Sequence, residues 1–296
     1  MDTNNILQEP MVEKPQEEKF IEIEKVIAEK NPRLAKALPG FIISYIKRVI
    51  HQDQINAFIK VNGQLYNFDF IEKIIEEFGV EVVIKGMENV PEKGGIVIAS
   101  NHPLGGLDAL SMMHLLSKKR KDMRFIVNDI LLSFKNLKEL FIPVNKHGKS
   151  GAESVKMINA QFASDAITLV FPAGLVSRKQ EGGIIKDLEW KKSFITKARQ
   201  YQRDIIPVYV EGKNSSFFYN LSRWRKRLGI KANIEMFYLM DEMYKQRGKK
   251  ITIYFGKPIK YSTFDKSNTD EQWANYIKEI VYSLPIQHSH RLTEKK

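Results

Sequence analysis

Residues 95–108 read Gly-Ile-Val-Ile-Ala-Ser-Asn-His-Pro-Leu-Gly-Gly-Leu-Asp. The apolar run ends at a Pro-Gly-Gly turn, which predicts a buried strand over 95–100 followed by a helix from about 108 to 118. The pattern recurs downstream. Strands are predicted at about 80–85, 123–127, 141–144, 166–171, 205–210 and 251–255. Helices are predicted at about 150–163, 190–202 and 270–283, with a further apolar helix between 127 and 141. Strands alternating with helices at this spacing predict an α/β fold, a mixed and mostly parallel sheet covered by helices. Such sheets carry their chemistry at the strand ends.

Upstream of residue 80 the periodicity is helical throughout. Phe20, Ile23, Val26 and Ile27 lie at helical spacing before Pro32, and residues 34–51 are broken at Pro39-Gly40. Two further helical stretches follow at about 53–61 and 68–78. The expected organisation is a flexible tail over 1–16, a helical N-terminal region over 17–79, an α/β domain over 80–284, and a second tail over 285–296 begun by Pro285.

With 296 residues, 43% hydrophobic and 28% charged, the chain can bury a sizeable core. It has no cysteine, which excludes disulfides, thiolate metal sites and a cysteine nucleophile. No His/Asp/Glu group has metal-ligand spacing, so no metal is expected. The net charge of +12 points to an anionic partner: nucleic acid, a membrane surface or small anions. The start of the chain lacks a basic, apolar leader, and no apolar run is long enough to span a bilayer. The expected location is the cytoplasm, at the inner face of the cell membrane.

His102 stands just past the buried strand, with Gly105, Gly106 and Asp108 close behind. An imidazole titrates near neutrality and can accept a proton from a hydroxyl; a carboxylate on its far nitrogen would fix the tautomer. A lone histidine in a Pro-Gly loop is more often structural or solvated than catalytic. His51, His114, His147, His288 and His290 have no comparable surroundings.

Taken with the segments downstream, these residues resemble the PlsC-like superfamily of glycerol-phosphate and lysophospholipid acyltransferases. Asn101, His102 and Asp108 match its first motif. Phe141-Ile142-Pro143-Val144-Asn145-Lys146 looks like the second, and Phe171-Pro172-Ala173-Gly174-Leu175-Val176-Ser177-Arg178 like the third. Ile205-Ile206-Pro207-Val208-Tyr209-Val210 resembles the fourth, and Phe255-Gly256-Lys257-Pro258-Ile259 the closing strand. Five motifs in order over about residues 80–260 are far more specific than any one.

Two departures bear on chemistry. The family usually separates His from Asp by four residues, and here five intervene. On one continuous helix a pair six positions apart faces different ways, so the proline and paired glycines imply that His102 sits in a turn before the helix. This His-Pro-x-Gly-Gly-x-Asp form resembles a bacterial branch that adds the ester-linked acyl chain of amino-acid lipids such as glycine lipids. The second departure is Ala173, where the family has glutamate. This puts a strict phosphate acceptor in doubt, while an acceptor with a carboxylate head fits the remaining cations, Arg178, Lys146 and Lys149.

The resemblance implies an O-acyltransferase acting from the surface of a membrane. His102 and Asp108 are its expected catalytic residues. Asn101, Gly105, Gly106, Asn145, Lys146, Phe171, Pro172, Gly174, Ser177 and Arg178 are its expected substrate-binding residues. Backbone amides near Gly174 or in the Gly105-Gly106 turn are expected to hold the oxyanion. The implied partners are an acyl carrier protein or acyl-CoA as donor and a lyso-lipid acceptor, with no metal or redox cofactor and no nucleic acid. Two other readings stay open: a 1-acylglycerol-3-phosphate acyltransferase, and a non-catalytic lipid- or nucleic-acid-binding protein on a decayed acyltransferase fold. The basic run Arg223-Trp224-Arg225-Lys226-Arg227 beside Phe217-Phe218-Tyr219, and the apolar helix over 41–50, are each compatible with a lipid surface or with ordinary packing and solvation.

Overall fold

The computed structural model describes residues 20–127, 135–144, 149–231 and 233–293. The chain divides into two compact units, residues 1–60 and 61–296. The first contains α1 (Ile23–Lys30), α2 (Pro32–Ala37), α3 (Gly40–Val49) and most of α4 (Gln52–Asn62). Pro32 opens α2 rather than merely stopping α1, because a missing N–H costs nothing in a first helical turn. The unit is tied by side chains. Asn56 clasps both the N–H and the C=O of Ile21 at 2.8 and 2.9 Å, and the buried Gln52 accepts from the Ile23 amide at 2.9 Å.

The second unit runs α5 (Asn67–Phe78), β1 (Glu81–Lys85), β2 (Ile96–Ser100), α6 (Gly106–Ser117), β3 (Met123–Val127), β4 (Phe141–Pro143), α7 (Lys149–Ala163) and β5 (Ile167–Val170). It continues with β6 (Arg178–Lys179), β7 (Ile185–Lys186), α8 (Ser193–Gln200), β8 (Asp204–Val210), α9 (Ser216–Arg227), α10 (Leu239–Tyr244), β9 (Lys250–Phe255) and α11 (Asp270–Thr293). Seven strands form one sheet in the order β1-β9-β8-β2-β5-β3-β4. Every junction is parallel except β8 against β9, the expected mixed, mostly parallel α/β sheet. β2 lies at its centre, between β8 and β5, and all five of its residues are buried. A strand buried on both faces reads as an unbroken apolar run, which is why residues 96–100 were legible without alternation.

Two boundaries differ from expectation. The units part at Lys60, not at residue 79, because α5 buries Phe70, Ile71, Ile75 and Phe78 and packs on α6. Helix α11 does not end at Pro285 but continues to Thr293, so 285–293 is no tail. The proline removes one helical N–H, and α11 is held regardless by its buried Ala274, Ile277, Val281 and Leu284. Of the span between 127 and 141 where an apolar helix is expected, residues 135–140 form a 3₁₀ turn and the rest lies outside the described residues. The tail over 1–16 and residues 128–134 lie outside the described residues.

Candidate active site

His102 leaves the end of β2 and stands in an irregular turn, four residues ahead of Gly106, the first residue of α6. The longer spacing to Asp108 is therefore absorbed where the sequence placed it. Asp108 is fully buried in the first turn of the helix. Its Oδ2 accepts from the backbone amides of Leu104 and Gly105, at 2.9 and 3.1 Å, and lies 2.9 Å from His102 Nδ1. The carboxylate thus does two things at once. It satisfies amides ahead of the helix as the acidic member of a capping box does, and in curling the turn it draws His102 back over itself.

Burial raises the pKa of Asp108 above the ordinary carboxylate range, although the His102 and Leu104 donors pull the other way. Its Oδ1 is buried without a hydrogen-bond partner among the described residues. A carboxylate so sparingly solvated is a strong acceptor for an imidazolium. With Asp108 ionised, the ring proton belongs on Nδ1 and Nε2 keeps its lone pair. The His102 side chain is 17% exposed, enough for a substrate hydroxyl to reach. Phe171 stacks on the imidazole with centroids 4.0 Å apart and planes 20° from parallel. It also meets Phe125 edge-on, so the ring is held from a second direction.

Gly105 makes the turn possible. Its φ of +83° with ψ of −134° lies in a region that side-chain-bearing residues avoid. A Cβ there would meet nothing closer than Leu239 at 3.5 Å, so the cost of substitution is backbone strain and not collision. Gly105→Ala is expected to lose about 1–3 kcal/mol of stability and to lower turnover by displacing Asp108's two backbone donors. Thermal unfolding and thiol-release kinetics on the purified variant check both; wild-type values in each would contradict the account.

Several expected substrate contacts are structural instead. Both ends of the Asn101 amide are taken by Val210 of β8, Nδ2 donating to its carbonyl at 2.9 Å and Oδ1 accepting from its N–H at 2.7 Å. Asn101 therefore extends the pairing of β2 and β8 by one residue. Ser177 is buried, its hydroxyl donating to Asp187 at 2.5 Å and its amide to the His102 carbonyl at 2.8 Å. Gly174's amide donates to the Phe171 carbonyl at 2.9 Å, and Gly105's to Asp108, so neither is an open oxyanion donor. Pro172 is buried, and its carbonyl accepts from Lys191. Gly106 begins α6. Asn145 and Lys146 lie outside the described residues, as does the side chain of Lys149.

Arg178 is the largest correction. Its guanidinium is buried beneath Phe218, 5.1 Å from the ring centroid, and reaches Glu235 at 3.0 Å and the Val176 carbonyl at 2.5 Å. Glu235, fully buried, also takes Arg225 at 2.8 Å. Two guanidiniums around one carboxylate form an internal joint between the third motif and α9. A charge already desolvated and paired there is not offered to an acceptor head group.

Sequence reasoning missed Asp187. Fully buried, it accepts from the His102 amide at 3.2 Å, from Ser177 and, at 3.0 Å, from Trp190 Nε1. Its own backbone is gripped by α11: its N–H donates to the Tyr282 hydroxyl at 2.8 Å, and its carbonyl accepts from Lys278 at 3.0 Å. His102 is thus fixed twice, through its ring by Asp108 and through its backbone by Asp187. The only local signal was an acid within the apolar stretch Ile184-Ile185-Lys186-Asp187-Leu188.

A base held at the end of a central strand, its far nitrogen on a buried carboxylate, belongs to an enzyme that transfers a group onto a proton-bearing nucleophile. The sequence model of a family described as acyltransferase matches residues 25–288, and the chain belongs to that family. A lyso-glycine lipid O-acyltransferase of Bacteroides thetaiotaomicron is 46% identical over 266 residues, 90% of this chain and 97% of the relative. A lyso-glycine lipid O-acyltransferase of Phocaeicola vulgatus is 47% identical over 266 residues, 90% and 95% respectively. The crystal structure of the 1-acyl-sn-glycerophosphate acyltransferase PlsC from Thermotoga maritima aligns with a TM-score of 0.42 at 15% identity, covering 81% of this chain and 89% of that one.

Proposed function

We propose that the enzyme moves a fatty acyl group from a thioester, borne by an acyl carrier protein or coenzyme A, to the hydroxyl of a lyso-lipid with an amino-acid head, glycine by analogy with its relatives. The observation that carries the mechanism is the 2.9 Å contact between His102 Nδ1 and Asp108. His102 Nε2 takes the proton of the acceptor hydroxyl as its oxygen attacks the thioester carbonyl, and Asp108 stabilises the imidazolium. The tetrahedral adduct expels the thiolate as the C–S bond breaks, and His102 returns the proton to sulfur. The products are an ester and a thiol. A thioester is already an activated acyl group, so the proposal calls on no metal or redox cofactor.

With Arg178 committed elsewhere, we place the anionic head in a cavity of about 520 Å³ lined by Lys213, Asn214, Tyr219, Lys245 and Lys249. Asn214 donates to the Pro103 carbonyl at 3.1 Å, next to the catalytic histidine. Lys245 is shared with Asp241 and Glu242, which leaves Lys213 and Lys249 as the principal attraction for a carboxylate. No helix among the described residues is long and apolar enough to cross a membrane, and we propose that the enzyme meets its lipids at the cytoplasmic face of the membrane.

The test gives purified enzyme lyso-glycine lipid or lysophosphatidate, each with acyl carrier protein and coenzyme A thioesters, and follows thiol release and ester formation. Preference for the glycine lipid by at least tenfold in kcat/KM is expected. Equal or better use of lysophosphatidate would replace this reading with the glycerol-phosphate one.

A further inference from the structure

We propose that the outer face of α9, with the 3₁₀ turn Ile234–Tyr238 beside it, is the surface that docks on an anionic lipid bilayer. The inference rests on the reading that this enzyme meets its substrates at a membrane, and it names the part of the protein that does so.

Helix α9 is two-faced. Phe218, Tyr219, Ser222 and Arg225 are buried. On the opposite side Phe217, Trp224 and Leu228 are 50, 63 and 74% exposed, and Leu221 completes the series 217, 221, 224, 228, one continuous line along a helix. Phe237 is 68% exposed, and its neighbour Tyr238 meets Phe217 edge-on with ring centroids 5.0 Å apart, so the turn broadens the stripe. Large apolar side chains collected in one exposed patch are uncommon on a surface that meets only water.

The charge around the stripe selects the occupant. Arg223, Lys226, Arg227 and Lys231 are all exposed, and none forms an ion pair with a described residue. From residue 212 to 234 the sequence has no aspartate or glutamate. The nearest acid, Glu235, is buried and spent on Arg178 and Arg225. The centre of a protein–protein interface is depleted of lysine. Aromatic and aliphatic side chains edged along α9 by cations suit a bilayer, with rings at the level of the head groups and cations against phosphate.

The floor beneath the face is rigid and leads to the chemistry. Glu235 joins the turn to α9 through Arg225 and to the third motif through Arg178, and Ser222 donates to it at 3.3 Å. At the other end, α9 begins two residues after Asn214, which is bonded to the catalytic turn. A bilayer seated on α9 is therefore held in a fixed relation to His102.

Trp224 is a built-in reporter, because Trp190 and Trp273 are buried. The full-length protein is titrated with vesicles of phosphatidylcholine alone or mixed with phosphatidylglycerol, with and without a lipid-borne bromine quencher. Expected are a blue shift and quenching of Trp224 on the anionic vesicles, weakened by salt and absent in Trp224→Phe. Phe217→Ser with Leu228→Ser should weaken the Trp224 response at least tenfold. Replacing Arg223, Lys226, Arg227 and Lys231 by glutamine should abolish the preference for anionic lipid. Both variants should keep their turnover of acceptor presented in detergent within about twofold.

Vesicle binding with Trp224 unquenched, or an unchanged response in the serine variant, overturns the proposal. So does a dimer in solution that buries Trp224. Failure of the wild type to transfer acyl groups in detergent would instead count against the acyltransferase chemistry and leave the docking result standing.

Discussion

Replacement of His102 by alanine is expected to lower acyl transfer by about two to four orders of magnitude, the range removed with a general base, while the protein unfolds at nearly its normal temperature. The ring touches Phe171 and Asp108 and lies at the surface end of β2. Asp108 keeps the Leu104 and Gly105 amides when the ring is gone, so the turn has its own support. Asp108→Asn should come close in effect on turnover, since an amide can face Nδ1 with the wrong group and hold the wrong tautomer. Its stability should hold or rise, because burial already disfavours the Asp108 charge and an amide oxygen can still accept from Leu104 and Gly105. Thiol release, product mass and circular-dichroism melting separate the two variants. Turnover of His102→Ala within tenfold of wild type would remove the histidine from the mechanism.

The second large effect is expected in stability. Glu235→Ala leaves the Arg178 and Arg225 guanidiniums buried without a counter-charge, a situation that costs about 3–5 kcal/mol. Burial by itself would raise the Glu235 carboxyl, but its backbone amide and the two arginines hold it below the usual range. A carboxylate depressed in the folded state contributes stability that is complete above its unfolded pKa and is lost as the pH falls through the lower folded value. Wild type should therefore lose stability on acidification by a step that Glu235→Gln lacks. Denaturant melts at neutral and acidic pH measure both effects. A loss under about 1 kcal/mol in Glu235→Ala would mean that the joint is dispensable, and would reopen Arg178 as a ligand for the acceptor.

That joint also marks what a linear reading can and cannot see. Residues 96–100 and the glycine pair announced a central strand and a turn, and the six-residue step from His102 to Asp108 was enough to place the histidine outside the helix. Arg178 sits where the family's anion-binding cation is expected, yet its partner Glu235 lies 57 residues downstream, with nothing local to advertise it. Asn101 likewise carried a motif's authority while its bonds run to Val210, 109 residues away. Proline rules mark Pro285 as a helix end, but they are local rules, and burial of the α11 face outweighs one lost hydrogen bond. The helical region was cut at residue 79 because the periodicity changes there. Where a helix buries its apolar face is a separate question from where the period changes, and α5 buries its own in the second unit.

The grip of α11 on Asp187 has a temporal side. A chain made from its N-terminus presents His102 long before Lys278 and Tyr282, which fasten the backbone of Asp187 behind it. Among the described strands β1 comes first, and its partner is β9, the last. Fastening of the backbone behind the base thus waits on a segment far off in the order of synthesis, and a chain cut short before α11 would carry His102 and Asp108 without the hold of Lys278 and Tyr282 on Asp187.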